Sequence, residues 1–166
     1  MILGGPGSGK STLARQIGVR TGLPVHHMDR IHWLPGWVMR DRTERIAMAN
    51  AVEAQDAWVF EGGLSATYDN RAARADLIVW LDLPIVLRLW RVVMRWRDYR
   101  GSSRPDLPAG CPEQLDPEFL LWIVTSRRRT RRRIRMLLAG PGKGKAVHLT
   151  RPRQVRVFLE TVPQCA

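Results

Sequence analysis

Cysteine is almost missing from this 166-residue chain, with Cys111 and Cys165 its two examples. Two thiols cannot build a disulfide framework, and their spacing fits no metal-ligand pattern. No apolar run approaches the ~20 residues that a membrane span needs. No basic-then-apolar leader precedes the first motif, so a cytoplasmic protein with no membrane partner is expected. Acidic residues are scarce as well: 15 Asp and Glu face 27 Lys and Arg, for a formal charge of +12. Lysine is rare among those cations, so the positive charge is almost all arginine, whose planar fork suits phosphate recognition. Such a balance favours anionic partners: nucleotides, nucleic acid or acidic membrane surfaces. Arginine abundance also follows genome base composition. With 45% apolar and 25% charged residues, the composition is globular, and the length suits one domain over 1–166.

The punctuation predicts alternating strands and helices. Met1–Leu3 reads as the end of a strand. Only three residues precede Gly4, fewer than the usual five or six, so a few further strand residues are expected upstream. Lys10–Thr21 reads as a helix stopped by Gly22 and Pro24, and Val25–Met28 as a strand ending at Asp29. Residues 30–40 read as a loop. Asp41 with Glu44 suggests a capping box for a helix to about Ala54. Trp58–Phe60 and Asp76–Leu81 read as strands, the second apolar throughout as if buried on both faces. Pro84 opens a helix to about Asp98. Residues 99–115 read as a loop, and Asp116–Pro117 starts a helix to about Ala139. Ala146–Leu149 and Pro152–Thr161 supply a last strand and helix. The expected fold class is α/β, a three-layer sandwich with a parallel sheet covered by helices on both faces.

Gly4-Gly5-Pro6-Gly7-Ser8-Gly9-Lys10-Ser11, followed by Thr12, satisfies the phosphate-loop pattern in full. Glycines let successive N–H groups turn inward, and the next helix adds the positive end of its dipole. Lys10 is then expected to reach the β- and γ-phosphates of ATP, and Ser11 to ligate Mg²⁺.

The chain resembles the adenylate-kinase-related P-loop kinases. It is most similar to the small proteins of that group called topology modulation proteins, through the segments 27–37, Arg104-Pro105-Asp106, and Gly110-Cys111-Pro112-Glu113. The resemblance implies a P-loop NTPase sandwich with a short arginine-rich lid, about residues 98–116. Asp82-Leu83-Pro84 resembles the Asp-x-Pro ending the third core strand. Arg91 and Arg95 then resemble an adenine-stacking and a phosphate-binding arginine, and share one helical face with Arg88. That face could equally be a solvated one. Glu61-Gly62-Gly63 resembles an Asp-Gly whose carboxylate holds Mg²⁺ through water, or else a plain turn. Thr150-Arg151-Pro152 resembles a loop lying against adenine, or else a plain strand-to-helix turn.

Two positions depart from the wider kinase pattern. Ser65 stands near the place of an acceptor-gripping arginine, with Arg71 and Arg74 as substitutes further along, and His32 replaces another arginine. Asp29 is the candidate general base, assisted by His27 or His32. Those three residues could alternatively hold a metal. Trp33 and Trp37 either stack on a base or pack their loop. In the run 127–133, Arg127 lies at the edge of an apolar stripe and Arg131 one turn on. These two are expected to steady the transferring phosphoryl group with Arg95. The expected function is phosphoryl transfer from ATP to a small-molecule acceptor, a nucleotide or nucleoside. The alternative is a nucleic-acid-binding ATPase or regulator. Oligomeric state is not legible.

Overall fold

The computed structural model describes residues 1–165. Its strands are β1 (Ile2–Gly4), β2 (Val25–His27), β3 (Trp33–Leu34), β4 (Val38–Met39), β5 (Val59–Glu61), β6 (Ile78–Leu81) and β7 (Ala146–Leu149). Its helices are α1 (Lys10–Thr21), α2 (Met28–His32), α3 (Arg42–Glu53), α4 (Tyr68–Arg74), α5 (Ile85–Asp98), α6 (Pro117–Thr125), α7 (Arg127–Ala139) and α8 (Pro152–Thr161). Five strands form one parallel sheet in the order β2-β5-β1-β6-β7, and β3 pairs with β4 antiparallel. The phosphate loop therefore leaves the middle strand. Glu61 ends the neighbour on one side and Asp82 follows the neighbour on the other.

Alternation along the strands divides the core into two faces. Ile2, Val79 and Leu81 pack with Leu13, Ala14 and Leu149 under α1 and α8. Met1, Leu3, Ile78 and Trp80 pack with Ala72, Ala75, Ile134 and Leu137 of the α4 and α7 side. Phe60 continues this second layer beneath Ala49 and Val52 of α3. All four residues of β6 are buried, as a continuous apolar run on a doubly covered sheet requires.

Three local readings need correction. The region 30–40 is not one loop: α2 and the β3–β4 hairpin occupy most of it. The helix after Asp116 breaks at Ser126 into α6 and α7, although Ser126 itself stays in the right-handed region. Asp41 does cap α3 through Thr43 and Glu44 N–H, but the Glu44 side chain turns to Arg40, leaving half a capping box.

Helix α4 has weak local signals and depends on a tertiary contact. Arg71 is fully buried, pairs with the equally buried Glu53 at 3.0 Å, and donates to Gly62 O and Thr67 Oγ1. Its guanidinium also lies 4.1 Å from the Phe60 ring centroid. Arg71 therefore cannot serve as a substitute acceptor-gripping arginine, and Arg74 is exposed beside Gln55 O. Removing one partner of a buried pair leaves an uncompensated charge, at a cost of about 3–5 kcal/mol. Glu53→Gln should lower the urea midpoint accordingly with little change of slope. An unchanged midpoint would mean that the pair does not hold α3 to α4.

Candidate functional site

The phosphate loop is shaped from below by α5. Gly7 has φ of +72°, and a Cβ there would stand 2.2 Å from the Arg88 carbonyl oxygen. A Cβ at Gly5 would meet the Arg88 guanidinium at 2.0 Å, and Arg88 Nε donates to Pro6 O at 2.9 Å. Arg91 donates to Ser8 O at 3.3 Å, so it too is tied to the loop. Lys10 Nζ reaches back to Gly5 O at 3.4 Å. Gly9 starts α1 without any side-chain cap, leaving the helix's first N–H groups without that partner. Ser8 Oγ is buried and makes no hydrogen bond. These are features of a cradle suited to an anion.

On the β5 side, Ser11 Oγ donates to Glu61 Oε1 at 2.9 Å, and His27 Nδ1 lies 2.9 Å from the same oxygen. Burial works to raise the Glu61 pKa, but the His27 hydrogen bond, Lys10 and Ser11 together hold it below the ordinary carboxylate range. The two residues expected to serve magnesium are thus in direct contact. No group of three or more His, Cys, Asp or Glu side chains suited to a metal occurs among the described residues, so the alternative His27, Asp29 and His32 cluster is not assembled. A Ser hydroxyl beside one carboxylate still fits Mg²⁺, which takes few protein ligands and completes its shell with phosphate oxygens and water.

Asp29 lies just past β2, in the first turn of α2, and its carboxylate makes no hydrogen bond among the described residues. Burial, then the Glu61 charge, raises its pKa, and Lys10 partly opposes the shift. His32 is a poor assistant: burial, with Arg45 and Arg71 nearby, pushes it down to about 4, so its ring is neutral.

Residues 99–116 close over this edge and carry contacts that sequence reasoning missed. Asp106 is buried, pairs with Arg104 at 2.7 Å, and meets Arg15 at 3.3 Å. Arg15 is one helical turn beyond Ser11. Burial opposes ionisation of Asp106, yet Arg104 and the Ser11 hydroxyl hold its pKa low. Glu113, also buried, bridges Arg95 at 2.6 Å and Arg104. Arg95 is thus held by a lid carboxylate. Trp37 Nε1 donates to Pro112 O at 2.9 Å and packs edge-on against Trp33, so these tryptophans join the hairpin to the lid. The signal for the network was present, since Arg104, Asp106 and Glu113 lie inside quoted motifs.

On the β6 side, Arg127, Thr130 and Arg131 of α7 face Gly5, Pro6, Asp82 and Arg88 around a small cavity. Arg131 grips both Asp82 oxygens, at 2.8 and 2.9 Å. Arg128, Arg129, Arg132 and Arg133 point to solvent. Arg151 and Pro152 follow β7 at the same sheet edge. The Thr150 and Arg151 N–H groups are already bonded to Gln154 Oε1, at 2.8 and 3.0 Å.

Among solved structures, shikimate kinase from Acinetobacter baumannii in complex with shikimate superposes on this chain with a TM-score of 0.56. The match covers 97% of this chain and 88% of that one, at 20% identity. The fold is that of the P-loop NTPases. In sequence, the chain is 28% identical over 125 residues to "Uncharacterized protein YqaC" of Bacillus subtilis (strain 168), covering 73% of this chain and 68% of that protein. No protein-family model matches the chain. No helix among the described residues is long and apolar enough to cross a membrane.

The raised Asp29 pKa carries a sign that can be checked. An acid whose folded pKa lies above its unfolded value costs stability once pH exceeds the unfolded value of about 3.9. Asp29→Asn should therefore be more stable than the natural chain at pH 7, with the gap closing as pH falls below about 4. A denaturant-midpoint series from pH 3 to 8 reads this, and a pH-independent gap would contradict it.

Proposed function

We propose that the protein is an ATP-dependent phosphotransferase with a small hydroxyl-bearing or phosphate-bearing acceptor, a nucleotide or nucleoside first among the candidates. The observation that carries the reading is the contact of Ser11 with Glu61 beside the unpartnered Asp29, at the edge of a complete phosphate loop. In this reading the loop N–H groups and Lys10 hold the β- and γ-phosphates. Ser11 and Glu61 would hold Mg²⁺, which supplies charge neutralisation on those phosphates. The acceptor's O–H gives its proton to Asp29 while its oxygen attacks the γ-phosphorus. The bond to the β-bridging oxygen breaks, and ADP leaves. A carboxylate with a raised pKa is a better proton acceptor than an ordinary one near neutrality. Arg95, Arg127 and Arg131 are the candidates to offset charge on the equatorial oxygens. Arg91, Arg151 and Pro152 are candidates for the base of the nucleotide. Membership of the topology modulation protein family belongs to the same proposal, supported by the motifs over residues 27–37 and 104–113.

A second reading, a nucleic-acid-binding ATPase, is favoured by the exposed arginines of α7. Simple charge attraction gives only about 10⁻⁴–10⁻⁶ M binding at physiological salt, so affinity well beyond that range would be needed to support it.

The decisive experiment supplies γ-labelled ATP and Mg²⁺ with nucleosides, nucleoside monophosphates, shikimate and other small hydroxylated metabolites, and DNA. Label should move to one small acceptor, vanish in Lys10→Ala, and fall at least about 100-fold in Asp29→Asn, the lower end of a general-base contribution. Label released only as inorganic phosphate, and faster with DNA, would replace the kinase reading with the ATPase one.

A further inference from the structure

Among the described residues, charged side chains buried as a whole pair with an ionisable partner, with one exception, and the half-buried Asp29 falls outside this set. Arg71 pairs with Glu53, His27 with Glu61, Asp82 with Arg131, Asp106 with Arg104, and Glu113 with Arg95. Arg88, only 5% exposed, has no carboxylate within ion-pair distance among the described residues. Its Nε is spent on Pro6 O, and its two Nη groups have no protein acceptor. Arg127, alongside, makes no hydrogen bond, and its Nε is fully buried without a partner. A buried charge without a counter-charge costs several kcal/mol, which folded proteins avoid by pairing it. Burial and the neighbouring Arg127 charge both push the Arg88 pKa down, and Asp82 offsets them only in part.

The two unpaired guanidiniums share a cavity of about 20 Å³ with the backbone of Gly5 and Pro6 and with Asp82, Thr130 and Arg131. That is room for one water-sized group, hence for one oxygen of an anion inserted between Arg88 and Arg127. The single carboxylate present is already gripped by Arg131. Three cations against one anion leave this wall of the loop positive. It lies on the β6 side of the middle strand, across the phosphate loop from Ser11 and Glu61.

We propose that Arg88 and Arg127 form a second oxyanion site on the β6 flank of the phosphate loop, for a phosphate-class group other than the one held by Lys10; Arg127 then serves this site, and offsetting charge on the transferring phosphoryl group falls to Arg95 and Arg131. The ligand is a compact oxyanion, either a free ion or the terminal group of a small molecule. The site does not depend on phosphoryl transfer, since its filling is a matter of charge and space alone.

Calorimetric titration with sodium sulfate, at ionic strength held constant with chloride, tests it on the natural chain, Lys10→Ala, Arg127→Gln and Arg127→Lys. A sulfate site should persist in Lys10→Ala with an affinity within about twofold of its value in the natural chain, apart from any second sulfate that the natural chain takes into its phosphate loop. It should weaken at least about tenfold, or 1.4 kcal/mol, in Arg127→Gln, with Arg127→Lys in between. Circular dichroism of each variant checks that the fold persists, and Arg127→Lys keeps the charge if Arg127→Gln misfolds. Equal binding by natural and Arg127→Gln chains would overturn the proposal. So would loss of binding in Lys10→Ala, which would put the sulfate in the phosphate loop itself. Displacement of sulfate by methyl phosphate as well as inorganic phosphate assigns the site to a group carried on a molecule. Displacement by inorganic phosphate alone assigns it to the free ion.

Discussion

The functional edge depends on the backbone contact between Gly7 and the first turns of α5. A helix carbonyl stands where any side chain at position 7 would begin. The loop can lie that close only because it carries no Cβ there. Arg88 then locks the arrangement through Pro6 O, and Arg91 repeats the lock at Ser8 O. One helix thereby sets the curvature of the loop, and the loop's curvature sets where Lys10 and Ser11 fall. The arginine-rich face of α5 is thus a support for the loop before it is anything else.

Charge on the two flanks of that loop is arranged in opposite ways. On the β5 flank, carboxylates gather: Glu61 and Asp106 both engage Ser11, and Asp29 beside them is left poorly solvated. On the β6 flank, guanidiniums outnumber the one carboxylate. A proton is most readily taken up on the first side, and anionic groups are most readily held on the second. An asymmetric site of this kind suits a reaction that deprotonates a hydroxyl while handling several phosphate charges.

The fold was legible because its signals are local and redundant. The phosphate-loop pattern, the apolar run of β6, and the stop signals at Gly22 and Pro24 each point to the same alternation of strand and helix. Helix α4 was not legible, because its seven residues are held by the long-range pairing of Arg71 with Glu53. The same pairing removed Arg71 from the acceptor site, an outcome that no spacing argument could reach. Ser11 and Glu61 were chosen from motif positions and do meet in space. Arg95 was chosen with equal reason, yet it faces Glu113, since a side chain's partner depends on how residues 99–116 fold back.

Those lid contacts also change how the net charge should be read. Five of the 15 acidic residues, Glu53, Glu61, Asp82, Asp106 and Glu113, are buried. Each engages a partner, in four cases an arginine, so acid and cation largely cancel within these pairs. Most of the arginines of α7, by contrast, are exposed. The potential felt by an approaching anion is therefore set by where the unpaired arginines cluster, on α7 above all, rather than by +12 spread evenly. The scarce acids are concentrated where they order the lid and the loop, and the surplus arginine is left to the solvent and to the β6 flank. A basic protein of this kind attracts anions over its whole surface, so selectivity among them must come from the enclosed positions, where geometry and desolvation make a misfit costly.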